Sequence, residues 1–330
     1  MKNVVASILL ITALFLSLFL YRTGQQHQES LAQQPLTASG LQKEKEETEE
    51  RAGEAAEELL PEEKEASGDQ PEITNEAEEA GKSEKPDQAD TREEEIPSRA
   101  EDLADLMKTL SERISSAGGE WSVYVKYLPT GEGIGIDSRS MVAASLIKLY
   151  VAGAYLEAVD LGETQDLYDE SLRSMLSRSD NDAANRLIGL LGMDRINDFI
   201  KKHGFEDSQL NRLMLANNGL ENYTSVKDCT ELLEEVYNGS FVSGEASERI
   251  LSALKEQSVR TKIPAGLPDG VISANKTGEL ANTENDSAIV FAPGGDYIFC
   301  VMSDRVSAGN AQKEIQEMSR IIYEKLGENE

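Results

Sequence analysis

The sequence predicts an α+β fold with two lobes, in which an antiparallel sheet flanked by helices adjoins an all-helical lobe. Three observations support this prediction: a helix and a hairpin pattern open the region after residue 100, helical periodicity fills its middle, and three strand patterns and a helix close it. Because each element must bury its apolar face against another layer, the strands at both ends of this region are expected to share one sheet.

The first elements are a helix and a β-hairpin. Apolar residues recur at helical spacing at the start of the region: Leu103, Leu106, Met107, Leu110 and Ile114. Gly118 and Gly119 end this pattern, as glycine commonly does after a helix. Residues 121–128 then alternate in polarity, and Pro129-Thr130-Gly131 provides a turn into residues 133–136.

The remaining elements follow the same reasoning. Helical patterns cover residues 146–159, 168–176, 183–191, 194–202 and 226–237. Strand patterns cover residues 271–277, 287–292 and 297–303, and a last helix is predicted over residues 311–326. The helical middle would form its own lobe, and a cleft between two lobes is a common place for chemistry.

Composition divides the 330 residues into three regions: 1–24, 25–100 and 101–330. Residues 3–21 carry no charge and approach the length that spans hydrocarbon, so they predict a membrane anchor, with a cleaved signal peptide as the alternative. Either segment would place the rest of the chain outside the cytoplasm, membrane-anchored or secreted.

The second region predicts a disordered acidic linker. Residues 43–99 contain 22 acidic and eight basic side chains, and no aromatic residue. Such a stretch cannot bury enough apolar surface to fold, and a charge-selective wall-binding or ion-binding segment is the alternative.

Residues 101–330 hold 38 acidic and 22 basic residues with clear periodicity, and they predict the folded domain, which we expect to be monomeric.

Charge and composition exclude several classes of function. A net charge of −29 repels phosphate backbones, which excludes nucleic-acid binding. Two histidines and two widely separated cysteines cannot build the common zinc, haem or iron–sulfur sites, so no metal or other cofactor is expected. Cys229 and Cys300 are expected to be buried free thiols, and a disulfide between them is the alternative.

A Ser-x-x-Lys motif places a hydroxyl and an amine on one helix face, where an unprotonated lysine can accept the serine proton. The sequence contains the motif at Ser145/Lys148, Ser252/Lys255 and Ser273/Lys276. Only Lys148 lies in a strongly apolar helix, where burial would lower its pKa toward that of a general base. The alternative is that Ser145 caps the helix and that Lys148 extends to solvent.

Two further motifs follow in order: Ser179-Asp180-Asn181 between two helices, and Lys276-Thr277-Gly278 at the end of a predicted strand. Together with Ser145-x-x-Lys148 they resemble the motif set of class A β-lactamases and penicillin-binding proteins. The resemblance extends over about residues 102–326, including the segments 179–185 and 260–268.

The resemblance implies a role for each matching residue. Ser145 would be the nucleophile that forms an acyl-enzyme, Lys148 its proton acceptor, and Ser179 the relay to the leaving nitrogen. Asn181 would orient Lys148 and the substrate amide. The other implied binding residues are on the strand: Lys276 and Thr277 for the substrate carboxylate, and the backbone N–H of Glu279, after Gly278, which with that of Ser145 would form the oxyanion hole.

The sequence departs from class A β-lactamases in two places. Their Glu-x-x-Leu-Asn loop, whose glutamate activates the water for deacylation, has no match, and Met214 falls near the glutamate position. Asp207 and Glu221 are the alternative carboxylates. In addition, Ser179 follows Ser145 by only 34 positions, so one wall of the cleft is expected to be missing.

These features predict a serine acyl hydrolase that acts on β-lactams or D-alanyl cell-wall peptides, with weak lactam hydrolysis. A penicillin-sensing domain or a non-catalytic binder of wall peptides is the alternative. A Ser-His-Asp hydrolase would have to use His203, the only histidine after residue 27. This histidine ends a helix before Gly204, a position that favours contact with terminal carbonyls instead.

Overall fold

The computed structural model describes residues 98–328. The predicted membrane anchor and almost all of the predicted acidic linker lie outside these residues. Within 98–328, every helix is too short or too polar to cross a membrane.

Five antiparallel strands form the main sheet, in the order β2-β1-β7-β6-β5. Their bounds are β1 Glu120–Tyr127, β2 Gly133–Ile136, β5 Ile272–Leu280, β6 Thr283–Phe291 and β7 Tyr297–Asp304. Two short strands, β3 Met141–Val142 and β4 Tyr223–Thr224, pair separately. The hairpin from the start of the domain therefore joins the three strands from its end, and the α+β prediction is confirmed.

Eight α-helices accompany the described strands. They are α1 Ala100–Ala117, α2 Lys148–Asp160, α3 Asp169–Ser177, α4 Asn181–Leu191, α5 Met193–Lys202, α6 Val226–Tyr237, α7 Gly244–Lys255 and α8 Ala308–Ile322. Short 3₁₀ turns at Ala144–Ile147 and Ile263–Gly266, and a π turn at Tyr323–Gly327, complete the described elements.

Two apolar cores cover the two faces of the main sheet. One core joins helices α2 to α7, which we call the helical lobe, to Ala274, Ile289 and Cys300 on one face. The other core packs α1 and α8 against Val123, Phe299 and Val301 on the opposite face. Since β strands alternate their side chains between faces, neighbouring residues of β7 reach different cores.

The structure extends or corrects several predicted elements. The strand predicted to end at Thr277 continues to Leu280, which places Gly278 and Glu279 within the sheet. Helix α7 was not among the predicted helices, although Ser243 caps its first turn and Ile250 and Leu254 recur at helical spacing. The helix predicted from residue 146 begins as a 3₁₀ turn that contains Ser145.

Candidate active site

Ser145 lies in the 3₁₀ turn that leads into α2, and it is half-buried. The chain just before it is fixed from two sides. The backbone N–H of Ala143 donates to the Asn222 carbonyl at 2.8 Å, and Asn285 Nδ2 donates to the carbonyls of Val142 and Ala143 at 2.9 and 3.3 Å. Ala144 adopts a positive φ of 47°, so this held segment presents Ser145 on a sharp turn.

Lys148 is the first residue of α2, and its side chain has no solvent exposure. Its Nζ donates to the Ser179 carbonyl at 2.5 Å, to Ser179 Oγ at 3.2 Å and to Asn181 Oδ1 at 2.8 Å. Burial lowers the pKa of Lys148 to about 8, against the opposing effect of the Asp180 carboxylate. The alternative in which this lysine extends to solvent is therefore wrong.

The helix-capping alternative for Ser145 is not supported either. Ala143, not Ser145, occupies the N-cap position of the 3₁₀ turn, and neither that turn nor α2 has a side-chain capping bond. The hydroxyl of Ser145 is therefore not used as a cap at either helix start.

The Ser179-Asp180-Asn181 motif forms the connection between α3 and α4. Asp180 caps α4, because its Oδ1 accepts from the backbone N–H groups of Asp182 and Ala183 at 2.9 and 3.0 Å. Hydrogen bonds from these N–H groups lower the pKa of Asp180. Ser179 takes a positive φ of 55°, which turns the chain sharply before the helix. The middle residue thus fixes the loop, and its two neighbours contact Lys148.

Lys276 approaches the same serine from the sheet. It is fully buried on β5, and its Nζ donates to Ser179 Oγ at 2.9 Å and to the Thr277 carbonyl at 2.8 Å. Burial lowers the pKa of Lys276 well below its usual value, and the charge of Lys148 lowers it further. The hydroxyl of Ser179 therefore lies between two amines, an arrangement that can relay a proton.

Gly278 brings β5 against the turn of Ser145. A Cβ atom at this position would lie 2.8 Å from the Ala143 carbonyl oxygen and 3.2 Å from the backbone nitrogen of Ser145. A side chain would push the strand away from this nitrogen. The absence of a side chain at Gly278 therefore permits the close approach on which the predicted oxyanion hole depends.

Thr277 and Glu279 flank this glycine. Thr277 is 2% exposed, whereas the side chain of Glu279 is 45% exposed and forms an ion pair with buried Lys262 at 2.7 Å. All eight site residues predicted from the motifs therefore lie on three adjoining elements: the Ser145 turn with α2, the Ser179–Asn181 loop, and β5.

None of the three candidate positions for a deacylating carboxylate has a hydrogen bond to the site residues. Met214 is 7% exposed, and Asn185 holds its backbone from both sides. The Met214 N–H donates to Asn185 Oδ1 at 2.8 Å, and Asn185 Nδ2 donates to the Met214 carbonyl at 3.1 Å. The Glu221 carboxylate accepts from Arg212 at 2.7 Å. Asp207 contacts Ser140 and Asp228 through its backbone. None of these bonds brings a carboxylate to Lys148 or Ser179.

The other sequence candidates lie in separate surroundings. His203 bonds the Glu157 carboxylate at 2.9 Å and packs against the ring of Phe199, an arrangement that does not support a triad with Ser145. Cys229 and Cys300 are buried free thiols, as expected. Burial raises the pKa of the Cys229 thiol to about 11, which keeps it protonated near neutral pH.

Several residues of the site have no motif that could have identified them. Asn222 and Asn285 each hold the segment before Ser145, and Asn185 holds Met214. Lys262 pairs with Glu279. Asn185 and Lys262 lie in the segments 179–185 and 260–268 that the resemblance covered, but no motif assigned either residue a role. Among residues 98–328, no group of three or more histidine, cysteine, aspartate or glutamate side chains is arranged to hold a metal ion.

Comparisons with known proteins identify a family and a fold for this chain. The family model described as "Beta-lactamase enzyme family" matches residues 104–170 and 165–326, whereas no curated protein sequence matches the chain. A solved β-lactamase from Sphaerobacter thermophilus is 24% identical and superposes with a TM-score of 0.62, over 68% of this chain and 98% of that one.

Two solved structures of PBP-A are similar as well. PBP-A is 25% identical, with a TM-score of 0.63 over 67% of this chain and 96% of its own. A PBP-A variant, described as an acyl-enzyme complex with penicillin G, is 24% identical, with the same TM-score and the same coverage of both chains. The fold of the described residues is therefore the fold of these proteins.

Proposed function

This chain belongs to the beta-lactamase enzyme family, and on that premise we propose that Ser145 forms a covalent acyl-enzyme with β-lactams or with D-alanyl peptides of the cell wall. One observation carries the proposal: Lys148 and Lys276 both donate hydrogen bonds to Ser179 Oγ, beside the turn that presents Ser145. The similarity to a penicillin-acylated PBP-A variant supports it.

In the proposed acylation step, Lys148 Nζ accepts the proton of Ser145 Oγ as this oxygen attacks the substrate carbonyl carbon. The backbone N–H groups of Ser145 and Glu279 stabilise the negative charge on the carbonyl oxygen. Ser179 Oγ then gives its proton to the amide nitrogen as the C–N bond breaks, and the proton held by Lys148 returns to Ser179. The hydrogen bond of 3.2 Å between Lys148 Nζ and Ser179 Oγ provides the path for this proton transfer.

Substrate binding uses the remaining predicted residues. Lys276 and Thr277 hold the substrate carboxylate at the edge of the sheet. Asn181, whose Oδ1 already accepts from Lys148, orients the substrate amide through its Nδ2. Together these contacts place the scissile carbonyl beside Ser145, since a nucleophile gains most of its rate from such positioning.

Release of the acyl group is the step that this chain supports least. Met214 occupies the position near which a deacylating glutamate is expected, and a thioether cannot activate water. Glu221 is paired with Arg212, and so its carboxylate is engaged elsewhere. We therefore expect a slow hydrolase. A penicillin-sensing domain is the second candidate function, because the missing carboxylate would leave the acyl-enzyme long-lived.

We also propose that the domain works outside the cytoplasm, tethered by the uncharged segment 3–21 and the acidic linker. Cell-wall peptides and β-lactams are encountered on that side of the membrane. A fusion of residues 1–100 to a reporter, assayed for membrane association and protease accessibility in cells, tests the tether separately from the chemistry.

Two assays on the purified domain test the function. Turnover of a chromogenic cephalosporin supports a hydrolase, whereas labelling by a fluorescent penicillin at one molecule per protein, without turnover, supports a sensor. Absence of both signals contradicts covalent chemistry and leaves a non-catalytic binder. The Ser145→Ala variant is the control in each assay, because it lacks the proposed nucleophile and removes no side-chain cap from either helix start.

A further inference from the structure

A buried lysine lies between two glutamates directly behind the proposed binding strand. The side chain of Lys262 has no solvent exposure, and its Nζ lies 2.7 Å from Glu279 Oε1 and 2.7 Å from Glu284 Oε2. The two glutamates are register partners on β5 and β6, so their side chains lie on the same face of the sheet. One cation thus bridges two carboxylates.

This bridge lies on the face of the sheet opposite Lys276. Side chains alternate along a strand, and Lys276 reaches Ser179 on the side of the helical lobe. Glu284 instead accepts from Gln312 of α8, at 3.3 Å, on the other side. The Glu279 side chain therefore faces away from Ser179, and the bond to Lys262 holds its carboxylate there, although its backbone N–H remains at the proposed oxyanion hole.

The local charge balance makes this bridge important for an anionic substrate. Asp286 lies on the same face as the glutamates, where its Oδ1 accepts from Asn275 at 3.0 Å. Two carboxylates thus contact Lys262 just behind Thr277, and the buried Asp286 adds a third carboxyl group to the same face. Without Lys262, the half-exposed carboxylate of Glu279 would be an unpaired negative charge two residues along the strand from Thr277, where a substrate carboxylate is expected.

We propose that Lys262 is a specificity-determining positioning residue: it binds Glu279 to Glu284, and so allows a substrate with a free carboxylate to bind beside Thr277. The inference rests on the proposed function. It implies that substitution of Lys262 penalises anionic substrates selectively, and that neutralising Glu279 removes the penalty. A purely structural lysine would affect charged and uncharged substrates alike.

The test compares acylation by benzylpenicillin, which carries a carboxylate, with acylation by its uncharged methyl ester. The proteins are the wild type, Lys262→Met, Glu279→Gln and the double variant. The second-order rate constant is measured by quenched labelling at low and high salt. One unit charge in a partly solvated site changes such a rate by about tenfold.

For Lys262→Met, we expect the ratio of penicillin to ester rates to fall by about tenfold. High salt should weaken the effect, because it screens the uncovered charge. The double variant should restore the wild-type ratio. Equal losses for both substrates, or a penicillin-to-ester ratio that the double variant does not restore, would overturn the inference.

The single variant Glu279→Gln keeps the test decisive if Lys262→Met does not fold, because it retains the bond between Lys262 and Glu284. It should raise the ratio of penicillin to ester rates by about tenfold, since one negative charge is removed. An unchanged ratio would overturn the inference. If the wild type reacts with neither substrate, the proposed function is overturned instead. Failure of the inference and failure of the proposed function are therefore distinguishable.

Discussion

Replacement of Lys148 by methionine tests the proposed general base. The substitution keeps most of the side-chain volume in a fully buried site but removes the amine. With a pKa of about 8, one lysine in about eleven is unprotonated at pH 7, against about one in 3,000 at the ordinary value of 10.5. Burial therefore raises the population of the active base by about 300-fold.

Two kinetic results follow. The wild-type acylation rate should rise about tenfold per pH unit below pH 7 and level off above about pH 8.5, because Lys148 must lose its proton before it accepts another. Lys148→Met should lose about 10²- to 10⁴-fold in acylation rate and lose this pH dependence. Quenched labelling with penicillin between pH 6 and 9.5 measures both.

Stability provides an independent readout of the same pKa. The folded-state pKa of Lys148 is depressed, so between about pH 8 and 10.5 the unfolded chain binds more protons. The free energy of unfolding of the wild type, relative to Lys148→Met, should therefore rise by about 3 kcal/mol across this window. Urea unfolding of both proteins at several pH values measures the difference.

The reasoning on Lys148 would be refuted by a wild-type acylation rate that is flat from pH 6 to 9.5, or by a variant within threefold of the wild type. A stability difference that does not change with pH would show that the lysine titrates normally. Lys255→Met is a matched control, because Lys255 belongs to another Ser-x-x-Lys motif and is exposed on α7.

Three further outcomes are expected. Gly278→Ala should slow acylation by about 10²- to 10³-fold, because its Cβ would lie 2.8 Å from the Ala143 carbonyl and displace the oxyanion donors; a wild-type rate in stopped-flow labelling would contradict this. The wild type should release one equivalent of product in a burst and then turn over slowly, and rapid turnover without a burst would mean that a carboxylate such as Glu221 acts as base. Met214→Glu should speed release by up to about 10²-fold, since Asn185 fixes this backbone one helical turn from Asn181, and Asn185→Ala should remove the gain.

Much of the fold follows from local patterns in the sequence. The alternation in residues 121–128 and the helical spacing from Leu103 to Ile114 each predict an element that the structure contains. Lys148 could be expected to be buried, because apolar residues surround it in sequence. The order of the three motifs also brought Ser145, Ser179 and Lys276 to neighbouring elements before any distance was known.

Other features depend on contacts between distant segments, which no local pattern reveals. The extension of β5 to Leu280 comes from its pairing with β6. Glu279 is charged and Leu280 is exposed, so these two residues do not continue the apolar pattern of a buried strand. The clamp between Asn185 and Met214 joins residues 29 positions apart. Lys262 could not be distinguished from a surface lysine until Glu279 and Glu284 were placed around it.

The most direct test of the account is the mass of the protein after brief exposure to penicillin G. The account predicts that the wild-type domain gains the mass of one penicillin, that peptide mapping places it on Ser145, and that Ser145→Ala gains none while its thermal unfolding is nearly unchanged. An adduct that persists in Ser145→Ala, or that maps to another residue, would contradict the central claim.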